Sequence, residues 1–251
     1  MSVFARFRAI EDKDKATVVR KLMEASTPDF DYFYLIGLSV LMATFGLLLN
    51  SGAIVIGSML IAPLMFPILG VSLGLVMSNY SVLGRSVSTL VRSLSIGLAL
   101  AFVGAFFFGD SAMYQTAEVM MRTEAHLLHL FVAIVAGAAV AYVLARPEWS
   151  DTVPGVAISV ALIPPLATIG IGLAAFDPTI ITGATTILLL NVLGIIGTAM
   201  VIFLLMNLSE KQHIAESTIQ REEEKLEESQ KNIQELDNNL KNGQNGSNEK
   251  R

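Results

Sequence analysis

The stretch SGAIVIGSMLIAPLMFPILGVSLG (51–74) is long and apolar enough to belong in a bilayer, yet it carries two prolines, Pro63 and Pro67, one helical turn apart. A proline inside a helix removes an N–H donor and clashes with the preceding turn, at a cost of about 3 kcal/mol. The carbonyls freed near positions 59 to 63 must find partners within the protein or in a wet cavity. The stretch therefore reads as an apolar segment kinked or unwound at its middle, with backbone oxygens that could receive a cation. A kinked packing helix is the competing reading, since proline and glycine are frequent in membrane helices.

A second stretch, GVAISVALIPPLATIGIGL (155–173), repeats the feature with adjacent Pro164 and Pro165. Pro63 and Pro165 stand 102 positions apart, and a glycine follows each seven residues on, Gly70 and Gly172. Leu60 then aligns with Leu162 and Ala53 with Gly155. Two prolines in a row disturb two hydrogen bonds together, so unwinding is expected here too, with a packed kink as the alternative. Interrupted segments in corresponding places of two halves are a sequence pointer to a transport site.

Composition places both stretches in a membrane protein. The chain of 251 residues is 53% hydrophobic and 16% charged, too apolar for a water-soluble domain of that length. Its charges are segregated into two cytoplasmic-type ends, residues 1–31 and 208–251, leaving four basic and six acidic side chains in the 32–207 body. The net charge of −5 thus describes the ends. Cysteine is absent, which excludes disulfides, thiolate metal sites and cysteine nucleophiles. The first 31 residues lack a continuous apolar core, so the first apolar run is expected to direct insertion itself.

Runs able to cross about 30 Å of hydrocarbon fall at 32–49, 52–77, 84–108, 126–145, 152–175 and 179–206. The expected fold is all-α: a polytopic membrane protein of six transmembrane helices. Arg85 and Arg92 lie near the first end of the third run, where arginine can snorkel to headgroups. With the N-terminus inside, the inner side collects the basic residues of both ends plus Arg85, Arg92 and Arg146, and the outer side only Arg122. Tyr32, Tyr34, Tyr80, Tyr142 and Trp149 fall near the inner boundaries of the same topology. A multi-pass protein of the cell membrane with both termini cytoplasmic follows. Three spans per half would make any repeat inverted, a 3+3 arrangement in which the two proline-broken helices are the middle ones.

Few polar side chains lie in the spans. Asn50 and Ser51 form the first outer turn, and Asn191 sits deep in the sixth run with Thr182, Thr185, Thr186 and Thr198 around it. A buried amide needs partners; it either serves a permeant species or makes an interhelical hydrogen bond. The expected path residues are Asn50, Ser51, Pro63, Pro67, Pro164, Pro165, Thr185 and Asn191. No Asp, Glu, Lys or His is expected at mid-bilayer, which disfavours a carboxylate proton relay. Glu124, His126 and His129 could hold a metal, but at an interface they read better as solvated groups, and no metal or cofactor is expected. Asp177 before Pro178 reads as a helix cap.

At the ends, Phe4, Phe7 and Ile10, then Val18, Val19, Leu22 and Met23, are spaced for two short amphipathic helices that lie on the inner leaflet or pack on the body. In the tail Ile219, Leu226, Ile233 and Leu240 recur every seven residues, half of a coiled-coil seam, and positions 242–251 read as disordered. The tail either joins copies of the chain into a homo-oligomer or lies free as a charged helix.

The Ile-Gly-Ser-Met-Leu-Ile-Ala-Pro-Leu core within 52–70, the Ile-Pro-Pro-Leu-containing stretch 155–173 and the Leu190-Asn191 pair resemble the DUF389 family of prokaryotic membrane proteins, across roughly residues 32–207. The resemblance implies a shared hydrophobic module and brings no substrate or catalytic residue. The functional expectation is a transporter or channel passing a small solute or ion along a midplane path between the broken helices. The alternative is a non-transporting scaffold or sensor acting through its tail. Paired carboxylates and Ser/His or Cys/His sets are missing from the spans, so an enzyme is not expected, and the partners are the bilayer and the solute, not nucleic acid.

Overall fold

The computed structural model is all-helical, with no strand among the described residues, which are 12–24, 28–144, 154–208 and, in the tail, 214, 215, 217, 218 and 224. The helices are α1 (Asp12–Glu24), α2 (Phe30–Leu48), α3 (Gly52–Met59), α4 (Met65–Val76), α5 (Tyr80–Phe108), α6 (Ala117–Met120), α7 (Leu127–Leu144), α8 (Pro154–Ala175) and α9 (Pro178–Leu205). Four of them, α2, α5, α7 and α9, are long and apolar enough to cross a membrane. The heptad from Ile219 onward, the 242–251 end, Phe4, Phe7, Ile10, Arg146 and Trp149 lie outside the described residues. Of the two positions expected for the arm, the body is the one found: α1 packs against α4, with Val19, Leu22 and Met23 fully buried.

The two proline stretches behave differently. The first is interrupted: α3 stops at Met59, residues 60–64 turn, and α4 begins at Met65. Pro63 lies in the turn, whereas Pro67 is in the first turn of α4, where its missing N–H has no partner to lose. The Ser58 carbonyl at this interruption accepts from Ser39 Oγ of α2 at 2.7 Å and from the Ile61 N–H at 3.2 Å. A carbonyl holding two donors has little left for a cation.

The second stretch overturns the expectation of a break, because α8 runs continuously from Pro154 to Ala175 through Pro164 and Pro165. The φ that proline imposes is itself helical, so the helix can continue past both prolines at the cost of two donors and of ring contacts with the preceding turn. The segment is densely packed: Leu162, Ile163, Leu166 and Ala167 are all buried. Thr168 Oγ1 donates to the Pro164 carbonyl at 2.9 Å.

Three helix ends turn through one and the same corner. At Asn50, Ser78 and Phe176 the backbone enters the left-handed region, with φ of 53°, 52° and 53°. The following N–H reaches back five residues to a glycine carbonyl each time: Ser51 to Gly46 at 2.8 Å, Asn79 to Gly74 at 3.0 Å, Asp177 to Gly172 at 3.0 Å. This is the Schellman ending, which satisfies carbonyls otherwise orphaned at the helix terminus. The glycine is needed because the next helix passes against it. A Cβ on Gly46 would lie 2.9 Å from the Val55 nitrogen, on Gly74 2.7 Å from that of Leu83, and on Gly172 3.0 Å from that of Ile181.

The residue after the left-handed position can also cap the next helix. Asn79 Oδ1 accepts from the Ser81 and Val82 N–H groups, and Asp177 Oδ1 from Thr179 and Ile180. Ser51 makes no such bond. Asn79→Ala and Asp177→Ala should therefore each lower stability by about 1 kcal/mol, while Ser51→Ala should leave it unchanged; melting temperatures of the purified protein in detergent would check the contrast.

The second and third corners stand 98 positions apart, and the helices around them keep that register. Every buried residue of α5, from Val82 through Ser93 to Ala105, becomes a buried residue of α9 when 98 is added to its number, from Ile180 through Asn191 to Phe203. The buried residues of α7 match those of α2 at a spacing of 97: Ala133 with Ile36, Gly137 with Val40, Val140 with Ala43, Ala141 with Thr44, Leu144 with Leu47. The buried faces thus differ from the spacing of 102 suggested by the prolines, because Pro63 lies in a turn with no counterpart inside α8. In the register of 98, Pro67 matches Pro165 and Ser93 matches Asn191.

Close crossings rest on small residues. A Cβ on Gly97 of α5 would lie 2.8 Å from Leu166 of α8, and one on Gly170 of α8 would lie 2.8 Å from the Phe102 nitrogen of α5. Gly137 of α7 faces Ile195 of α9, and Gly194 of α9 faces Ala133 of α7, at comparable distances. Without side chains the backbones approach closely, which is how membrane helices gain packing energy.

Candidate functional site

The long connection after α5 folds back over the first corner. Thr116 Oγ1 donates to the Leu47 carbonyl at 2.8 Å, and the Glu118 N–H donates to Asn50 Oδ1 at 3.0 Å. The Glu118 carboxylate stands over Gly52, the first residue of α3, where negative charge is favoured by the unpaired N–H groups of a helix start. Arg122 Nη1 meets that carboxylate at 2.7 Å and also donates to the Glu118 carbonyl oxygen. Further on, the Thr123 carbonyl presses directly on Gly183 of α9. The connection is pinned to both halves of the bundle.

Beneath it lies a cavity of about 650 Å³ between α3, α7, α8 and α9. Its wall is formed by Ile56 and Met59 from α3, Met121 and Arg122 from the connection, His129 and Val132 from α7, Pro164 and Pro165 from α8, and Ile187 and Asn191 from α9. Asn191 is 5% exposed and sits at the middle of its 28-residue helix. Arg122 and His129 stand at the connection end. Among the described residues this lining holds no carboxylate, and its polar groups are one guanidinium, one imidazole and one amide.

Of the expected path residues, the cavity brings together Pro164, Pro165 and Asn191. Asn50 is exposed and holds the connection, Ser51 opens α3, Pro63 is half-buried in the interruption, Pro67 is buried in α4, and Thr185 is half-buried in α9 outside this lining. Sequence reasoning passed over Arg122, His129 and Met59. Arg122 did stand out as the lone basic residue assigned to the outer side, and His129 as one of two histidines at helical spacing. His126 and Glu124 are 3.7 Å apart, solvent-exposed and outside the cavity, and no group of three potential ligands capable of holding a metal occurs among the described residues.

A second polar cluster occupies the other half. Ser93 Oγ and Tyr32 Oη are hydrogen-bonded at 3.1 Å, and Ser93 Oγ lies 2.8 Å from the Thr89 carbonyl. One turn away, Ser86 Oγ is fully buried with no hydrogen-bond partner among the described residues, a burial costing about 1–3 kcal/mol. Tyr32 is 8% exposed and Thr89 5%. Asn191 and Ser93 are equivalent in the register of 98, and His129 and Tyr32 in that of 97.

Four crossing-length apolar helices among the described residues, in an all-helical bundle, define a membrane-embedded protein. The chain belongs to the family described as a domain of unknown function, DUF389, whose profile matches residues 59–197. It is 28% identical over 166 residues to an uncharacterised protein of Methanocaldococcus jannaschii, covering 66% of this chain and 51% of that protein. The chain thus spans about half the length of the curated relative it matches. No solved structure matches it.

Proposed function

We propose that the protein is a six-span membrane transporter, non-enzymatic, built as a 3+3 inverted repeat with α3 and α4 together counting as one crossing. The α2–α4–α5 and α7–α8–α9 units share a register of buried faces, and an odd number of crossings per unit turns one unit over relative to the other. With both termini cytoplasmic, the corners at Asn50 and Phe176 and the pinned connection face outward, as the positive-inside count favours.

The reading rests above all on the 650 Å³ cavity, which joins Asn191 and the two internal prolines of α8 at mid-helix depth. Pro164 and Pro165 offer no helical donors to the carbonyls one turn back, and together with the Asn191 amide they bring polar character to an otherwise apolar cavity suited to a small solute or ion. A homo-oligomer would put the exposed apolar faces of α7 against a second copy.

Liposomes containing the full chain are the test. Flux of a permeant solute should fall at least about tenfold in Asn191→Leu, the effect of losing roughly 1.4 kcal/mol of polar stabilisation. Leu193→Ala, on the outward face of the same helix, should leave it unchanged. Absence of flux across a broad solute and ion screen, with a cellular phenotype lost on tail deletion and retained in Asn191→Leu, would establish the scaffold reading instead.

A further inference from the structure

The residues that line the cavity have equivalents in the other half, and two of these are in direct contact. Along α9 the cavity is lined by Ile187 and Asn191; the equivalent α5 positions are Thr89 and Ser93. Across from Asn191 stands His129, in the first turn of α7. Across from Ser93 stands Tyr32, in the first turn of α2, and these two touch through a hydrogen bond at 3.1 Å. Pro165 and its equivalent Pro67 are both buried, and of the two it is Pro165 that lines the cavity. Where α7 and α9 border the cavity, the equivalent residues of α2 and α5 are thus in direct contact.

We infer that the Tyr32–Ser93 contact is the inner gate of an alternating-access carrier, and that this structure is its outward-facing state. The inference rests on the transport reading and adds the mode of transport: a carrier with two exchanging conformations, as opposed to a continuously open pore. In the inward-facing state Tyr32 and Ser93 part, Ser86, Thr89 and Ser93 line an inner cavity, and Asn191 is covered by α7.

Three observations support it. The buried residues of α5 and α7 all fall on buried residues of α9 and α2, so exchanging the conformations of the halves keeps most of the packing scheme. The crossings that would have to shift, α5 on α8 and α7 on α9, run over glycine and alanine, where backbones can slide with few side chains to unlock. Ser86 Oγ is buried without a partner among the described residues, a group that the present state leaves unsatisfied and an opened inner cavity would hydrate.

Because the chain has no cysteine, single introduced thiols report on one position each. The full chain in membrane vesicles would carry Val132→Cys, an exposed residue of the cavity wall, as the outer reporter or Ser86→Cys as the inner one, labelled by a membrane-impermeant thiosulfonate from either side. With Tyr32 intact, Val132→Cys should react from the connection side and Ser86→Cys should be protected. Tyr32→Phe should speed labelling of Ser86→Cys from the arm side and slow that of Val132→Cys, each by about fivefold, the shift expected from losing one hydrogen bond that favours a single state. Ser93→Ala should act in the same direction and replaces Tyr32→Phe if that variant fails to accumulate. If Ser86→Cys does not respond, or if both reporters speed up together, Tyr32 and Ser93 are ordinary packing partners and the gate is refuted. If Val132→Cys, and Ile56→Cys as its second reporter, stay unlabelled from the connection side in otherwise native protein, the cavity is sealed and the transport reading falls with the gate.

Discussion

Gly74→Val should be among the most damaging single substitutions in this protein, lowering stability by about 3 kcal/mol or preventing accumulation of the folded form. A Cβ at this position would sit 2.7 Å from the Leu83 nitrogen and 2.8 Å from the Leu83 Cα. Both are backbone atoms of a helix that begins only three residues after the turn residue Met77, so they cannot rotate away as a side-chain terminus would. Overpacking in a filled core costs about 1–3 kcal/mol even where neighbours can adjust. Here adjustment means opening the corner and losing the Asn79-to-Gly74 hydrogen bond and the Asn79 cap with it. Gly84→Ala, four residues into the exposed part of α5 with nothing within 4 Å, should instead be neutral or slightly stabilising, by up to about 1 kcal/mol from helix propensity. Thermal unfolding in detergent compares the two, and equal melting temperatures would show that the corner is not tightly packed in the membrane.

Gly183→Val has a comparable steric effect with a different outcome. Its Cβ would strike the Thr123 carbonyl, which belongs to the connection and not to a helix. The connection can yield, so global stability should fall by less than about 1 kcal/mol. The local consequence should be large: residues 121–124 lift, the roof over Arg122 and the cavity loosens, and amide exchange in 116–124 speeds up by at least about tenfold, as for a segment whose opening free energy drops by roughly 1.4 kcal/mol. Hydrogen-exchange mass spectrometry of the full chain measures this directly. Unchanged protection of 116–124 would mean that the bonds from Thr116 and Glu118 to the first corner suffice to hold the connection.

The contrast between the two glycines also marks where sequence reading succeeds. The helices were legible because long apolar runs in a chain this hydrophobic have few other structures, and their ends fall within a few residues of those read from the runs. The third run begins at position 84 by its apolar content; Asn79 caps the helix and lets it begin at Tyr80. Asp177 was legible as a cap because a carboxylate two residues ahead of the first free N–H groups has one obvious use. The α8 prolines misled because the rule against internal proline is local. What decides the outcome there is the ring of buried residues from Leu162 to Ala167 and their neighbours, contacts made across the bundle.

The cavity was partly legible for the same reason. Asn191 and the adjacent prolines attract notice alone, as polar or unusual residues in apolar surroundings. Arg122, His129 and Met59 join them only through the folding-back of the connection, which depends on Thr116 reaching Leu47 and on Thr123 finding the bare backbone of Gly183. No periodicity announces such contacts. The register of 98 was equally hidden, since it is carried by burial and by glycine-to-cap spacing more than by identical letters.

The three corners have a consequence for how the chain is assembled. Each closes on itself: the carbonyl, the left-handed residue and the helix that passes the glycine all lie within ten consecutive positions. Closing so short a loop costs little entropy, and local contacts form early. The α4–α5 and α8–α9 pairs are therefore suited to leave the biosynthetic machinery as ready-made hairpins, each complete at its bend before α2 or α7 has found its place. Assembly is then reduced to docking a few preformed units, and a fault in one corner should be felt at the stage of membrane insertion, before any solute is met.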